Sequence, residues 1–176
     1  MATIPTIPSE SPGNFWTSAL WNANILGGLN YLLSPVRFKG YAVASQSLGS
    51  STSSTVLALD TTAVDSDNGH SNVTNNSRYT CQTAGLFYVS GSVNLAQNSG
   101  GTRTLQVFLN GAGITGSAVQ AMPSASNGAS VFTSTIVQLN VGDYVELAAW
   151  QNSGSTLATS TSNALLTTMC LWRLSS

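Results

Sequence analysis

Charge is what this chain has least of. Charged side chains make up 6% of its 176 residues, against about a quarter in an average soluble protein. Five Lys and Arg, six Asp and Glu and one His leave a net charge of −1. The five cations are scattered and form no basic patch, so no nucleic-acid partner is expected. No apolar run reaches membrane-spanning length, so no membrane insertion is expected. The two cysteines, Cys81 and Cys170, have no CxxC spacing. They read as buried free thiols, with a bridge open if their strands are neighbours. The N-terminal stretch MATIPTIPSESPGNF lacks the basic and apolar regions of a signal peptide, so no secretory leader is expected. Solubility rests on Ser, Thr, Asn, Gln and Gly, a composition associated with rigid repetitive assemblies.

Scarce ionisable groups also exclude most enzyme classes. The one His, His70, would need an acid and a nucleophile brought to it, and there is no GxSxG elbow. Asp65-Ser66-Asp67-Asn68-Gly69 resembles the start of a calcium loop. Its glycine is one residue early, and Asn76 stands where the closing Glu belongs. A solvated turn is the expectation there. A glycosidase needs two facing carboxylates. Asp143 and Glu146 are the closest candidates, but their odd spacing sets them on opposite faces of a strand. Asn72-Val73-Thr74 and Asn75-Asn76-Ser77 match the glycosylation pattern by chance in an Asn-rich loop. The chain is therefore read as a non-enzyme, with no cofactor and no metal.

What the sequence does hold is alternation. Arg78–Leu95 reads as a short strand, a turn at Ala84-Gly85, and a long strand from Leu86 to Leu95. Phe87, Val89 and Val93 share one face at period two, with Leu86, Tyr88, Ser90 and Ser92 on the other. Gly91 marks a bulge or a close backbone approach. Arg103–Asn110 sets Leu105, Val107 and Leu109 against Gln106 and Phe108. Val131–Leu139 carries Val131, Ile136, Val137 and Leu139. Tyr144–Trp150 sets Val145, Leu147 and Ala149 against Tyr144, Glu146, Ala148 and Trp150. Leu165–Leu174 sets Leu165, Thr167, Met169 and Leu171 against Leu166, Thr168, Cys170 and Trp172. Gly, Asn and Ser clusters bound each run. Two more strands are expected at Tyr41–Gln46 and Thr55–Asp60, around a SLGSSTSS loop, with 61–77 a long polar loop. Such spacing argues an all-β antiparallel sandwich over residues 41–176.

Residues 1–40 are expected to be an appendage. Pro5, Pro8 and Pro12 favour an extended arm over residues 1–14, with Ile4 and Ile7 as apolar anchors. Residues 15–33 form the one short helical candidate, with Thr17 or Ser18 as cap. Trp21, Ile25, Leu29 and Leu32 lie on one stripe, and Trp16, Leu20 and Ala23 on another. Stripes on two sides imply cover on more than one side. Gly27-Gly28 permits a close approach, and Ser34-Pro35 ends the helix.

Tyr79-Thr80-Cys81 through Gly85-Leu86-Phe87-Tyr88-Val89-Ser90 resembles the central strands of C1q/TNF-like jelly rolls. Leu109-Asn110-Gly111 and Leu139-Asn140-Val141-Gly142-Asp143-Tyr144-Val145-Glu146-Leu147 resemble two further segments of that fold. The likeness covers about residues 40–174. Met169–Leu174 departs from it, lacking the closing phenylalanine-glycine signature. Trp16-Thr17, Leu20-Trp21-Asn22 and Leu29-Asn30-Tyr31-Leu32-Leu33 resemble small virion proteins of tailed phages that infect actinobacteria, of the minor-tail or capsid-decoration type. The resemblance implies a virion structural protein, assembled in the bacterial host cytoplasm, and a trimer through the C1q/TNF-like fold; it identifies no receptor. Other virion proteins and a host-cell-surface glycan are the candidate partners. A capsid-decorating role and a free lectin-like module are the alternatives.

Five aromatics fall opposite the faces assigned to the core: Tyr88, Phe108, Tyr144, Trp150 and Trp172. They are the candidate homotrimer interface, unless a one-residue slip places some of them between the sheets. Ile4, Ile7, Phe15, Trp16, Trp21, Ile25, Leu29 and Tyr31 are the candidate virion anchor.

Overall fold

Strict alternation along a few long strands builds two layers. The computed structural model describes residues 17–26, 29, 34–123 and 128–175. Its strands are β1 Arg37–Tyr41, β2 Ser47–Leu48, β3 Ser51–Val56, β4 Thr61–Asp65, β5 Arg78–Thr80, β6 Gly85–Leu95, β7 Arg103–Leu109, β8 Ala112–Gly113, β9 Val119–Ala121, β10 Ala129–Leu139, β11 Tyr144–Gln151, β12 Leu157–Ala158 and β13 Thr168–Ser175. The larger sheet has the order β10-β6-β13-β1-β4, and the smaller one β5-β11-β7-β8 with β9 also on β7. All the strand pairings within them are antiparallel. β12 and β2 form a separate pair.

β6 is the organising strand. Its odd-numbered residues are buried, and Phe87, Val89, Val93 and Leu95 enter the core beside Leu105, Val107, Val145 and Leu147 from the facing sheet. Gly91 lies on that inner face. A Cβ there would stand 2.4 Å from Leu147 Cδ1, so the facing leucine fills the space the glycine leaves. The β7–β8 turn uses Asn110 and Gly111 at φ 50° and 81°, the pair of positive dihedrals that a tight hairpin turn requires.

Several expectations are corrected. The first strand covers Arg37–Tyr41 rather than Tyr41–Gln46. Past Tyr41 the backbone bonds to side chains: Asp60 accepts from the Val43 and Ala44 amides at 2.9 and 2.8 Å, and Thr159 Oγ1 from the Gln46 amide at 2.9 Å. The SLGSSTSS stretch, expected as a loop, holds β2 and most of β3. Residues 57–60 are outside any strand; Leu57 and Leu59 sit in the core while their amides bond Leu147 and Asn76 carbonyls. The polar loop opens with β4, paired to β1. The last strand begins at Thr168, because the chain turns at Ser162–Leu165 and leaves Leu165 exposed. Glu146 and Ala148, expected to face outward with the aromatics, are buried. Ile136, counted with Val131, Val137 and Leu139, points the other way and is exposed.

Within 15–33 the described residues form a single α-helical turn, Ser18–Trp21, running into a π-helical turn, Asn22–Leu26. The Trp21 amide donates to the Thr17 carbonyl at 2.9 Å, which sets Thr17 at the N-cap position. Trp21 and Leu29 are exposed and Ile25 is half-buried. Ile4, Ile7, Phe15, Trp16 and Tyr31 lie outside the described residues.

Candidate interaction surface

Most of the polar groups that could have carried chemistry hold loops in place. His70 Nδ1 is 2.6 Å from the Arg78 carbonyl and Nε2 is 3.1 Å from that of Leu59, so the ring ties the 66–77 segment to its neighbours. Asp65 spends both carboxylate oxygens on the Gly69 and His70 amides, at 3.1 and 2.9 Å. Asp67 accepts from the Tyr79 hydroxyl at 2.8 Å, and burial pushes its pKa up despite that bond. The stretch that resembles a calcium loop is thus a turn held by Asp65 on its own amides, with Asp67 Oδ2 buried and without a hydrogen-bond partner among the described residues. Among the described residues no cluster of three His, Cys, Asp or Glu side chains stands close enough for a metal ion.

The remaining acids are bonded as well. Asp143 accepts from Asn110 Nδ2 at 2.9 Å and the Asn140 amide at 2.7 Å, and these bonds hold it below the usual carboxylate range. Burial works against the Asp60 charge, but the Val43 and Ala44 amides and the Thr61 hydroxyl outweigh it and lower the pKa. Glu146 accepts from Ser77 Oγ at 2.7 Å and from Arg78 Nε at 3.1 Å. Cys81 and Cys170 are free. They belong to different layers: Cys81 follows β5 and is buried, which pushes its thiol up to about 11, while Cys170 sits half-buried on the outer side of β13.

The outward side of the large sheet is different. The pairing registers set Ile136, Tyr88, Trp172 and Arg37 in one row straight across β10, β6, β13 and β1. The adjacent row is Ser134, Ser90, Cys170, Lys39 and Val64, and the one after it holds Phe132. Phe132 and Ile136 are each 57% exposed, Trp172 55% and Tyr88 38%. A shallow depression of about 280 Å³ opens among Arg37, Lys39, Val64, Tyr88, Cys170 and Trp172. The apolar row thus ends on Arg37, with Lys39 in the next row, and neither exposed cation has an ion-pair partner among the described residues.

The five candidate interface aromatics divide between the layers. Tyr88 and Trp172 are direct cross-strand partners on the large sheet. Phe108, Tyr144 and Trp150 lie half-buried on the outer side of the small one. There the Arg78 guanidinium stacks 4.0 Å from the Tyr144 ring centroid while pairing with Glu146. Phe132 and Ile136 were not picked out as surface residues. Their signal was two adjacent apolar pairs in β10, Val131-Phe132 and Ile136-Val137, which load both faces of one strand.

Comparison with solved structures decides the fold family. Murine APRIL at pH 8.5 superposes with a TM-score of 0.59 at 14% identity, over 80% of this chain and 100% of that one. APRIL at pH 5.0 gives 0.57 at 12%. The globular domain of zebrafish complement 1qA gives 0.53 at 11%, over 79% of this chain and 97% of that one. The fold is a C1q/TNF-like jelly roll. At these identities the likeness speaks for the fold alone. No protein-family profile matches the chain, and no curated protein matches its sequence. No described helix is long and apolar enough to cross a membrane.

Proposed function

We propose that this chain is a structural and binding module of a tailed-phage particle, displayed as a homotrimer and attached through residues 1–33, of the minor-tail type. It acts by binding, without bond chemistry. The observation that carries the assembly part is the exposed row Ile136, Tyr88 and Trp172 with Phe132 beside it. Four large apolar side chains on one sheet face form a patch of the kind that marks an interface, and sister copies are its occupants in this reading. The virion assignment is supported by the resemblance of the Trp16–Leu33 pattern to phage structural proteins. The composition, 6% charged, fits a repetitive shell or fibre component. Repeated copies then turn weak single contacts with a host-surface glycan into avidity.

The test is deletion of residues 1–33 with particle assembly as the readout. The expected product is a soluble trimer of the β-domain that no longer incorporates. Incorporation at normal copy number, or failure of the β-domain to fold, would overturn the anchoring role. Electron microscopy of particles carrying labelled protein then places the copies on tail or head, and labels on the head would favour capsid decoration.

A further inference from the structure

A binding module needs a site that its own assembly leaves open. On the outer side of the large sheet the apolar row and Phe132 lie toward β10, and sister copies cover them in the trimer reading. The opposite corner of the same face is polar. Tyr41 ends β1 and is the cross-strand partner of Thr168 on β13. Lys39 stands two residues before Tyr41, on the same side of β1. Asn163 and Leu166 come from the turn before β13, where the Leu165 amide donates to the Ser162 carbonyl at 2.8 Å. These five residues line a depression of about 360 Å³, within the range of about 300–1,000 Å³ usual for small-ligand sites.

The corner stands clear of the apolar row. Tyr41, Thr168, Ser92 and Phe132 share one register row across β1, β13, β6 and β10. Phe132 is therefore three strands from Tyr41, about 14 Å at a spacing of roughly 4.8 Å. Along β1, Arg37 at the end of the apolar row precedes Tyr41 by four residues, about 13 Å. A sister copy that covers Ile136, Tyr88, Trp172 and Phe132 can thus stop short of the depression. Extending that cover across Lys39 would bury an ammonium with no ion-pair partner among the described residues, which is costly.

Elsewhere most polar side chains hold loops. Here the Lys39 ammonium, the Tyr41 hydroxyl and the Asn163 amide make no hydrogen bond to any described residue. Thr168 Oγ1 donates to the Leu166 carbonyl at 3.1 Å, which leaves its lone pairs to accept. Lys39 can hold an acid group through a charge-assisted bond. Asn163 both donates and accepts, as sugar hydroxyls require. The half-buried Tyr41 ring and Leu166 offer apolar surface to the C–H face of a pyranose. We infer that this depression binds an acidic sugar residue of a host-surface glycan, with its acid group at Lys39 and its hydroxyls at Asn163, Thr168 and Tyr41. The site deepens the binding role proposed above and rests on it. Repetition over the copies of an assembly would turn such a weak single site into avidity.

Lys39 is the chain's one lysine. Reductive methylation with labelled formaldehyde therefore gives it a single side-chain NMR signal and keeps its charge. The full-length protein is titrated with glucuronate, glucose 1-phosphate, glucose, acetate and inorganic phosphate. The expected result is a saturable shift of the Lys39 signal by glucuronate or glucose 1-phosphate, and the tighter of the two identifies the acid group. Glucose, acetate and phosphate should bind roughly tenfold more weakly, since each lacks either the charge or the hydroxyls. In ligand-observed titrations Lys39→Met should show a similar loss, and Tyr41→Ala and Asn163→Ala roughly threefold each, with circular dichroism unchanged. No shift of the Lys39 signal, an equal response to acetate, phosphate or glucose, or unchanged affinity in both Tyr41→Ala and Asn163→Ala overturns the site. A tri-aspartate peptide that binds as tightly as the sugar acids overturns it too. Light scattering on the same sample decides the assembly separately. A trimer without sugar binding sinks this site alone, and a monomer that binds the sugar acid sinks the trimer alone.

Discussion

Replacing Trp172 by alanine separates assembly from folding. Trp172 projects from the outer side of β13, while its neighbours Met169 and Leu171 supply the core contacts of that strand. The substitution should therefore leave the sandwich intact. A tryptophan can bury about 150–250 Å², and 55% of this residue remains exposed in the single chain. Full cover by a sister copy would remove roughly 80–140 Å². At about 25 cal/mol per Å² that stabilises each contact by about 2–3.5 kcal/mol, or roughly 30- to 300-fold in dissociation constant. Sedimentation equilibrium over a dilution series, with circular dichroism to confirm the fold, measures it. Trp150 provides the contrast. It stands on the other layer, opposite Thr104 on β7, so Trp150→Ala should leave the association constant within about twofold. If W172A assembles as tightly as the wild type, or if W150A loosens the trimer as much, the large-sheet face is not the interface.

Gly91→Ala places a methyl group against Leu147, 2.4 Å from Cδ1 and 2.9 Å from Cγ. Overpacking of this kind costs about 1–3 kcal/mol, read as a lower urea midpoint with an unchanged slope. Asp143, whose pKa is lowered by Asn110 and the Asn140 amide, contributes stability that is present above the unfolded carboxylate pKa of about 3.9 and lost as pH falls through its lower folded value. Thermal unfolding of the wild type should lose stability more steeply than Asp143→Asn as the pH drops below about 4; parallel profiles would count against the role of that turn.

The long strands were legible because one face of each is wholly committed to the core. Phe87, Val89 and Val93 announce β6, and the Asn110-Gly111 turn announces the end of β7. The stretch 41–65 was not legible. Its hydrogen bonds run to the side chains of Asp60, Gln46 and Thr159, which a period-two pattern does not encode. Leu57 and Leu59 alternate like strand residues, yet they belong to a crossing segment between β3 and β4. Arg103 was read only as the polar start of a strand. It is fully buried, with its guanidinium donating to the Asn98 and Gly100 carbonyls at 2.8 and 2.9 Å, and burial lowers its pKa. Nothing in single-residue hydropathy signals a cation used as a loop staple.

The surface was half legible for a related reason. Alternation identifies a second face but does not say which layer that face belongs to, so Tyr88 and Trp172 could be grouped with Phe108, Tyr144 and Trp150 before the topology separated them. Once separated, charge becomes the more informative signal. Arg78 and Arg103 are bonded locally, and Arg173 is buried. Arg37 and Lys39 alone stand exposed side by side, on the face that also carries the exposed Tyr88, Phe132, Ile136 and Trp172. Burying the aromatics and aliphatics of that face removes apolar area from water; burying the two cations unmatched is costly. In the proposed assembly they would constrain which surface can cover the sheet and in which direction it lies. In a chain with so few charges, two cations with no ion-pair partner among the described residues weigh heavily in the register of the proposed assembly.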